Sequence, residues 1–252
     1  MNKALATLIF SLAAVQGQQG QDARAIVKEA EKRSRATSQR YQGTLTVTDA
    51  KSRVTEKRWQ YDRIGSFGDS KAVLRFTAPA EVKGVAILIH NHKDRASDQW
   101  MWTPALQRDR RIALQDRSTR FFGTDFSFED LEERDADQFT YKVLGEEAVD
   151  GKACWKMESR AVEGKRSQYT HSHVWIRKDI YAFARVEAFK GEKLVRRIDY
   201  KDFEQVKGIW TARAIEVLDA GRQSRTVLRF EQLDYNLPMK EDQFTLQALR
   251  RG

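Results

Sequence analysis

The second half of the chain is a succession of alternating segments separated by short turns. Dipeptides such as Asp150-Gly151, Lys190-Gly191 and Ala220-Gly221 mark the turns. Strands joined by such short turns pair antiparallel with their sequence neighbours. The candidate strands are 139–148, 152–161, 169–177, 181–189, 193–204, 209–218 and 223–233. This succession restricts the chain to a mainly β fold.

The first half adds four or five strands, which brings the expected total to about eleven. Leu45 and Val47 alternate with threonines, residues 53–63 and 71–77 continue the period of two, and residues 85–89 are apolar on both faces. No linker rich in Pro, Gly or Ser interrupts the series, so residues 18–252 are expected to form a single domain. About eleven antiparallel strands need closure or cover to hide their edges.

A helix is predicted over residues 22–39, before the first strand. Asp22 can act as its N-cap, and Ala23, Ile26, Val27 and Ala30 recur at helical spacing. The opposite face carries charged residues. We expect this one-sided helix to cover an apolar surface of the sheet.

The N-terminus resembles an export signal. Lys3 precedes an apolar run from Ala4 to Val15, and small residues end it near Gly17. We therefore expect residues 1–17 to be a signal peptide that is cleaved near Gly17, and the mature protein to work in the periplasm. A buried N-terminal helix is the alternative.

Residues 100–134 lie between the two sets of strands and combine aromatic with charged residues. Ser127 and Asp130 fit a variant capping box for a short helix. Long segments of this kind in compact domains are usually functional. We expect a lid or plug, and ordinary core packing is the alternative for its aromatic residues: Trp100, Trp102, Phe121, Phe122, Phe126 and Phe128.

Catalytic signatures are missing from the sequence. There is no nucleophile elbow, phosphate loop or paired-carboxylate motif, so we do not expect an enzyme or a cofactor. His90 and His92, like His171 and His173, could chelate a metal from one face of a strand. Because no Asp or Glu lies at a diagnostic spacing, we expect no metal site. We expect the single cysteine, Cys154, to be a buried thiol.

The chain is basic, with a formal net charge of +9. Arg110 and Arg111 belong to a cluster of arginines beside Phe121 and Phe122. An exported protein seldom meets nucleic acid, so we expect no such partner. Contact with anionic lipid headgroups or an acidic partner is the functional interpretation, and a solvated basic face is the alternative.

Small residues recur on one side of two candidate strands. Their partners on the other side include Arg185 and Glu187, which need water, so the small residues are expected to face the interior. They are Ala182, Ala184, Val186, Ala188, Ala212 and Ala214. Either larger residues fill the space above them or it is a ligand cavity. We favour the cavity, which predicts that Ala184→Phe is accommodated without loss of stability.

Five segments resemble the LolA-like family of outer-membrane lipoprotein-sorting proteins, in the branch of uncharacterised LolA-like domains. They keep the family's order and span most of residues 40–246. The segments are Phe76–Leu88, Trp102–Leu106 followed by Arg110-Arg111-Ile112, Phe122–Leu131, Val174–Asp179 and Asp242–Thr245.

The resemblance implies a LolA/LolB-like half-open antiparallel β-barrel of about eleven strands, with a covering N-terminal helix and a short lid helix. It also implies an apolar cavity for the acyl chains of a lipoprotein or lipid, carried toward the outer membrane by a monomer. Phe76, Leu88, the lid aromatics and the alanines would then line the lipid site. The alternative function is an interaction module that docks on an RND-type exporter or an envelope-stress regulator.

Overall fold

Thirteen antiparallel strands form one continuous sheet in the computed structural model, which describes residues 15–251, with side chains from Ala23 onward. The strands are β1 (Ser38–Thr48), β2 (Val54–Ser66), β3 (Asp69–Ala78), β4 (Ala86–Asn91), β5 (Asp98–Thr103), β6 (Arg108–Arg111), β7 (Phe139–Val149), β8 (Lys152–Ala161), β9 (His171–Arg177), β10 (Phe183–Lys190), β11 (Lys193–Val206), β12 (Ile209–Asp219) and β13 (Ser224–Tyr235). The helices are α1 (Val15–Ser34) and α2 (Leu246–Arg251).

The sheet consists of two meanders joined by their first and last strands. β1 pairs with β13, so the spatial order runs from β6 to β1 and then from β13 back to β7. The two open edges, β6 and β7, are therefore consecutive in the sequence. The prediction of a mainly β, half-open barrel is confirmed by this large open antiparallel sheet.

The two strands beyond the predicted eleven come from the stretch interpreted as a lid. Residues 98–111, which overlap this stretch, contribute β5 and the short edge strand β6. β6 reads Arg108-Asp109-Arg110-Arg111 and carries no apolar residue. Charged residues are common on exposed edges because they discourage pairing with other chains, and they also remove the alternation that reveals a strand.

The predicted helix exists, but its bounds are wrong at both ends. α1 has begun by Val15 and ends at Ser34, so Asp22 is not its N-cap and residues 38–39 already belong to β1. The backbone amide of Thr37 donates to Asn236 Oδ1 at 2.9 Å, which ties the chain to the sheet after the helix. The predicted stripe is correct: Ala23, Val27 and Ala30 are buried against the sheet.

One face of the sheet, here called the inner face, carries two apolar clusters. The first includes Phe76, Ile87 and Val217, and the second, beneath α1, includes Met157 and Val174. Ile198 packs against both clusters, which makes the face continuous. The first cluster is covered by residues 112–138, here called the lid segment, which connect β6 to β7.

The opposite, outer face is covered at one end by the C-terminal segment. Phe244 and Leu249 are buried there against Ala86, Leu88 and Trp102. β4 is therefore buried on both faces, with Ile87 and Ile89 inward and Leu88 outward. β4 also lies between β3 and β5, and this position explains why residues 85–89 are apolar on both faces.

The predicted signal peptide lies mostly on residues 1–14, outside the described residues, and residues 15–17 are part of α1. Within residues 15–251, no helix combines the length and the apolar character needed to cross a bilayer.

Candidate functional site: the inner face and its lid

The lid segment fills the inner face with aromatic side chains. Phe121, Phe126 and Phe128 are buried, and Phe122 is partly buried. Phe121 stacks on Phe76 of β3, with ring centroids 5.4 Å apart and planes inclined by 18°. Rings at such distances add about 0.5–1.5 kcal/mol beyond the burial of their area. The lid aromatics thus occupy the apolar surface that a ligand would otherwise contact.

Asp125 anchors the lid segment to β13. Its carboxylate, which is fully buried, accepts hydrogen bonds from Ser224 Oγ at 2.5 Å and Thr226 Oγ1 at 2.8 Å. The backbone amide of Asp125 donates to Thr226 Oγ1 at 2.9 Å. Arg120 Nη1 lies 3.4 Å from the same carboxylate. The charge of Asp125 is thereby compensated within the protein, as burial of a carboxylate requires.

Asp130 makes a second anchor, to β11. It forms a buried ion pair with Arg196 and accepts a 2.8 Å hydrogen bond from the hydroxyl of Tyr169. Asp130 also accepts from the backbone amide of Ser127 at 2.7 Å, while its own amide donates to Ser127 Oγ at 3.3 Å. Ser127 and Asp130 thus make the reciprocal bonds of the predicted capping box. The residue that directly precedes the turn is however Phe128, and a single 3₁₀ turn, Glu129–Leu131, stands in place of the expected short helix.

Further ion pairs hold the rest of the lid segment. Arg63 of β2 pairs with Glu133, and both side chains are buried. Arg117 pairs with Glu132, which also lies in the lid segment. It donates as well to Ser97 Oγ of the β4–β5 loop at 2.8 Å. Removing one partner of a buried pair costs about 3–5 kcal/mol, because it leaves the other charge uncompensated. These pairs therefore fix the position of the lid more than they add net stability.

The charged anchors alter the pKa values of their neighbours. Burial, together with the adjacent carboxylate of Asp130, raises the pKa of Tyr169 well above its ordinary value, so Tyr169 stays a hydrogen-bond donor. Burial works to raise the pKa of Asp219, but the amide of Arg222 and the guanidinium of Arg120 outweigh it and lower that pKa. Both groups thus keep the protonation states that the network needs at neutral pH.

Among the described residues, a smaller and a larger cavity adjoin the lid segment. The smaller, about 140 Å³, lies between the inner face and the lid segment. The strands contribute Val186, Ala188, Ile198 and Tyr200 to its walls, and charged residues close it, among them Glu129, Glu133, Arg134 and Arg196. The larger, about 1070 Å³, is an open cleft between the lid segment and the β4–β5 and β8–β9 loops. Its walls carry charges of both signs, among them Arg111, Lys165 and Glu132, so it is not an apolar site.

The predicted lipid-site residues separate into two groups. Phe76 and the four lid phenylalanines come together on the inner face. Leu88, Trp100 and Trp102 lie instead on the outer face, where they pack with Phe244 and the C-terminal helix. The cause is strand alternation: Leu88 lies between Ile87 and Ile89, both of which point inward.

The sequence suggested that the alanines of β10 share one face, but in the structure they do not. A bulge between Phe183 and Arg185 interrupts the pairing with β9. As a result, Ala184 packs with Val149, Cys154 and Trp175, whereas Val186 lines the inner cavity. Ala182 precedes the strand.

The alanines of β12 lie on the outer face. Ile215 and Val217 contact the inner cluster, so Ala212 and Ala214, which alternate with them, point away from it. Glu216, in the same outward series, forms ion pairs with Lys201 at 2.9 Å and Arg225 at 2.6 Å. The inward placement of these alanines was therefore wrong, because small residues are also buried between long side chains on an outer face.

The remaining candidates lie away from the inner face. Arg110 and Arg111 are exposed on edge strand β6, where Arg111 pairs with Asp98 at 2.5 Å. Cys154 is buried, and burial raises the pKa of its thiol. His171 and His173 are neighbours of Glu158 on the adjacent strand, a carboxylate that the sequence spacing did not reveal.

Sequence reasoning found the lid aromatics and missed the charged residues that anchor them. A signal was present in the strands: Arg63 follows Trp59 and Tyr61 in one alternating series, and Arg196 precedes Ile198 and Tyr200 in another. An arginine in an inward-facing apolar series needs a buried partner. The acids of the lid segment are those partners.

A family model described as "uncharacterized protein" matches residues 68–251, which is more than half of the chain. The chain belongs to the DUF1329 family. Among curated proteins, none matches this DUF1329 chain.

Solved structures share the fold of this DUF1329 protein over nearly its whole length. A DUF1329 family protein from Desulfovibrio piger is 25% identical with a TM-score of 0.87, and covers 92% of this chain and 99% of its own. A domain named for outer membrane lipoprotein sorting, from Vibrio parahaemolyticus, is 24% identical with a TM-score of 0.87 and coverages of 92% and 100%.

A LolA superfamily protein from Nitrosomonas europaea is 17% identical, with a TM-score of 0.72 and coverages of 90% and 99%. The resemblance to LolA-like proteins is thereby confirmed at the level of the fold. This DUF1329 protein has the open sheet of the LolA superfamily, with its inner face covered by the lid segment.

Proposed function

We propose that this protein is a periplasmic carrier whose inner face binds an acyl chain of a lipid or lipoprotein when the lid segment moves aside. The observation that carries the proposal is the lid itself, a segment whose phenylalanines lie on the continuous apolar face of an open sheet. A domain named for outer membrane lipoprotein sorting has the same fold, and the acyl chains of a lipoprotein are a cargo of this class.

Uptake requires displacement of the lid, because the space beneath it is too small. The inner cavity of about 140 Å³ is well below the roughly 300–1,000 Å³ of ordinary ligand pockets. Removing Phe121, Phe126 and Phe128 from the face would expose the surface around Phe76 and Ile87. A bound acyl chain would then replace the phenylalanine contacts and regain about 25 cal/mol for each Å² of apolar surface.

The anchors set the free energy of this exchange. Asp125 and Asp130 bind β13 and β11 when the lid is closed, and opening would expose their charges to water. In the empty protein, the apolar contacts and the ion pairs both oppose opening. A bound acyl chain replaces the apolar contacts, so the broken ion pairs remain as the main cost of loading. Cargo would pass from a donor to the carrier and on to an acceptor because each binds it more tightly than the one before, with no covalent step.

The variant Asp130→Asn tests the proposal. It weakens the pair with Arg196 while keeping the shape of the side chain, so the open lid should be more populated. We expect a fluorescent fatty-acid probe to bind about tenfold or more tightly, since a loss of 1.4 kcal/mol in closure changes the open population tenfold. The measurement is probe titration at fixed pH and salt.

Asp234→Asn is the matched control, because Asp234 pairs with Lys207 at 2.6 Å on the surface, away from the lid. It should leave probe affinity unchanged. A probe that binds neither the natural protein nor Asp130→Asn, when both are folded by circular dichroism, would contradict the carrier proposal.

The closed inner face also favours a second function, an interaction module that docks on a membrane partner such as an RND-type exporter. In that case the lid would be permanent packing. Native mass spectrometry of protein purified from membranes separates the two functions. One bound lipid per chain supports the carrier, and an empty protein that retains one membrane protein supports the module.

A further inference from the structure

We propose that Glu158, His171 and His173 form a binding site for a divalent transition-metal ion of the zinc class on the outer face of the sheet. One ligand atom from each of the three residues lies within 4.8 Å of the other two. Two imidazoles and one carboxylate are a ligand set that zinc uses where a position is left open for water or another ligand.

Strand register brings the three side chains together. His171 and His173 are two residues apart on β9, and Glu158 of β8 lies directly opposite His173. Residues two apart on a strand, and residues opposite each other on neighbouring strands, share one face. The sheet itself thus fixes the three positions, independently of any mobile loop.

Neighbouring side chains orient the imidazole of His171. The ring stacks on Phe189 of β10, with centroids 4.7 Å apart and planes inclined by 2°. Its Nδ1 lies 3.3 Å from the hydroxyl of Thr170, which leaves Nε2 for a metal. Metal-binding histidines usually have their second nitrogen held in this way.

Acidic groups flank His173 on the two neighbouring strands. Glu158 of β8 and Glu187 of β10 lie directly opposite it. Carboxylates on both sides of the imidazole favour a bound cation at this position.

Arg160 competes with the metal for Glu158. It donates to the carboxylate through Nε at 2.7 Å and Nη2 at 3.1 Å, and its side chain is about half exposed. Such exposed pairs contribute little stability, so a divalent ion can displace the guanidinium. Arg160 thereby gives the site a distinctive property: its removal should strengthen metal binding.

The second histidine pair provides an internal comparison, because its nitrogens already have partners. His90 Nε2 lies 2.9 Å from the carbonyl oxygen of Phe244, and His92 Nε2 lies 3.0 Å from Asp98. Asp98 also forms ion pairs with Arg95 at 2.8 Å and with Arg111 at 2.5 Å. This pair has no free carboxylate, so we expect no metal there.

The experiment is titration of the untagged protein with ZnCl₂ in competition with a chromogenic chelator. We expect one ion per chain. Glu158→Gln and His173→Asn should each weaken binding at least tenfold, Arg160→Gln should tighten it, and His92→Asn should leave it unchanged. Glu158→Gln is isosteric and exchanges a surface ion pair for a neutral contact, so the fold should persist.

Equal affinity of the natural protein and Glu158→Gln would overturn the proposal, as would absence of binding in the natural protein. Loss of binding in His92→Asn would place the ion at the other pair and would also overturn it. Tighter binding in Arg160→Gln supports the site specifically, because a general effect of surface charge should appear equally in Arg53→Gln, an exposed arginine whose partner is Asp49.

Discussion

Gly43 shows how one residue permits the two meanders to join. It lies on β1 between Trp59 of β2 and Phe230 of β13, next to a register shift. A Cβ atom at this position would lie 1.8 Å from the carbonyl oxygen of Arg229, a backbone atom that cannot move independently. Only glycine fits where β1 and β13 approach so closely.

We therefore expect Gly43→Ala to lower the free energy of unfolding by about 1–3 kcal/mol or more, because the methyl group displaces β13. Gly221→Ala is the control, since its nearest neighbour would be a side-chain oxygen of Asp219 at 3.4 Å. Urea denaturation monitored by tryptophan fluorescence measures both. A change below about 0.5 kcal/mol in Gly43→Ala would contradict this account.

Single residues also mark the limit of sequence prediction. Phe121 and Phe128 could be assigned to a lid because aromatic residues between two sets of strands need burial. The partnership of Glu158 with His173 could not, because no regular spacing in sequence defines an opposite position on a neighbouring strand. Nor does any spacing reveal Arg196 of β11 as the partner of Asp130, because Asp130 lies in the lid segment, outside the strands.

At the scale of the element, β10 shows what a period of two can establish. Alternation correctly identified the strand but wrongly placed all its small residues on one face. It could not locate the bulge between Phe183 and Arg185, which changes the face of every residue on one side of it. Ala184 and Ala188 therefore differ in environment although four residues of unbroken strand would give them the same face.

Phenylalanine substitutions at these positions should have opposite effects. Ala184→Phe forces a ring against Trp175 and Cys154 and should cost about 1–3 kcal/mol, with the fatty-acid probe bound normally. Ala188→Phe places the ring toward the inner cavity of about 140 Å³, so stability should be nearly retained and probe binding reduced. Thermal denaturation and probe titration measure the pair.

The expectation for Ala184→Phe thus reverses the one drawn from the sequence alone. If Ala184→Phe were tolerated and reduced probe binding, the ring would have to enter the inner face, and the assignment of the two faces in β10 would be wrong.

At the scale of the molecule, the net charge of +9 and the exposed edge strand β6 bear on membrane contact. Arg110 lies 4.0 Å from Asp116, a long and exposed ion pair that leaves the guanidinium available to a lipid headgroup. Arg110→Gln combined with Arg111→Gln should weaken binding to vesicles containing anionic lipid. Binding by the natural protein should also decrease with salt, because charges are screened within about 8 Å at 0.15 M.

Arg53→Gln is the control for this pair, since Arg53 is an exposed arginine that pairs with Asp49 in the β1–β2 turn, away from β6. Co-sedimentation with vesicles at two salt concentrations measures the effect. Equal weakening by Arg53→Gln would indicate attraction by the total charge, without a role for β6.

The order of the strands has a mechanical consequence. β6 and β7 are the two rims of the open sheet, and residues 112–138 run directly from one rim to the other. While that connection keeps its conformation, it fixes the distance between the two rims and thus the width of the opening. A guest that spreads the rims must first deform this connection. Cutting the chain there would leave two fragments joined by the hydrogen bonds between β1 and β13, by the packing of α1 on β7 to β9 and by the packing of the C-terminal segment on β4.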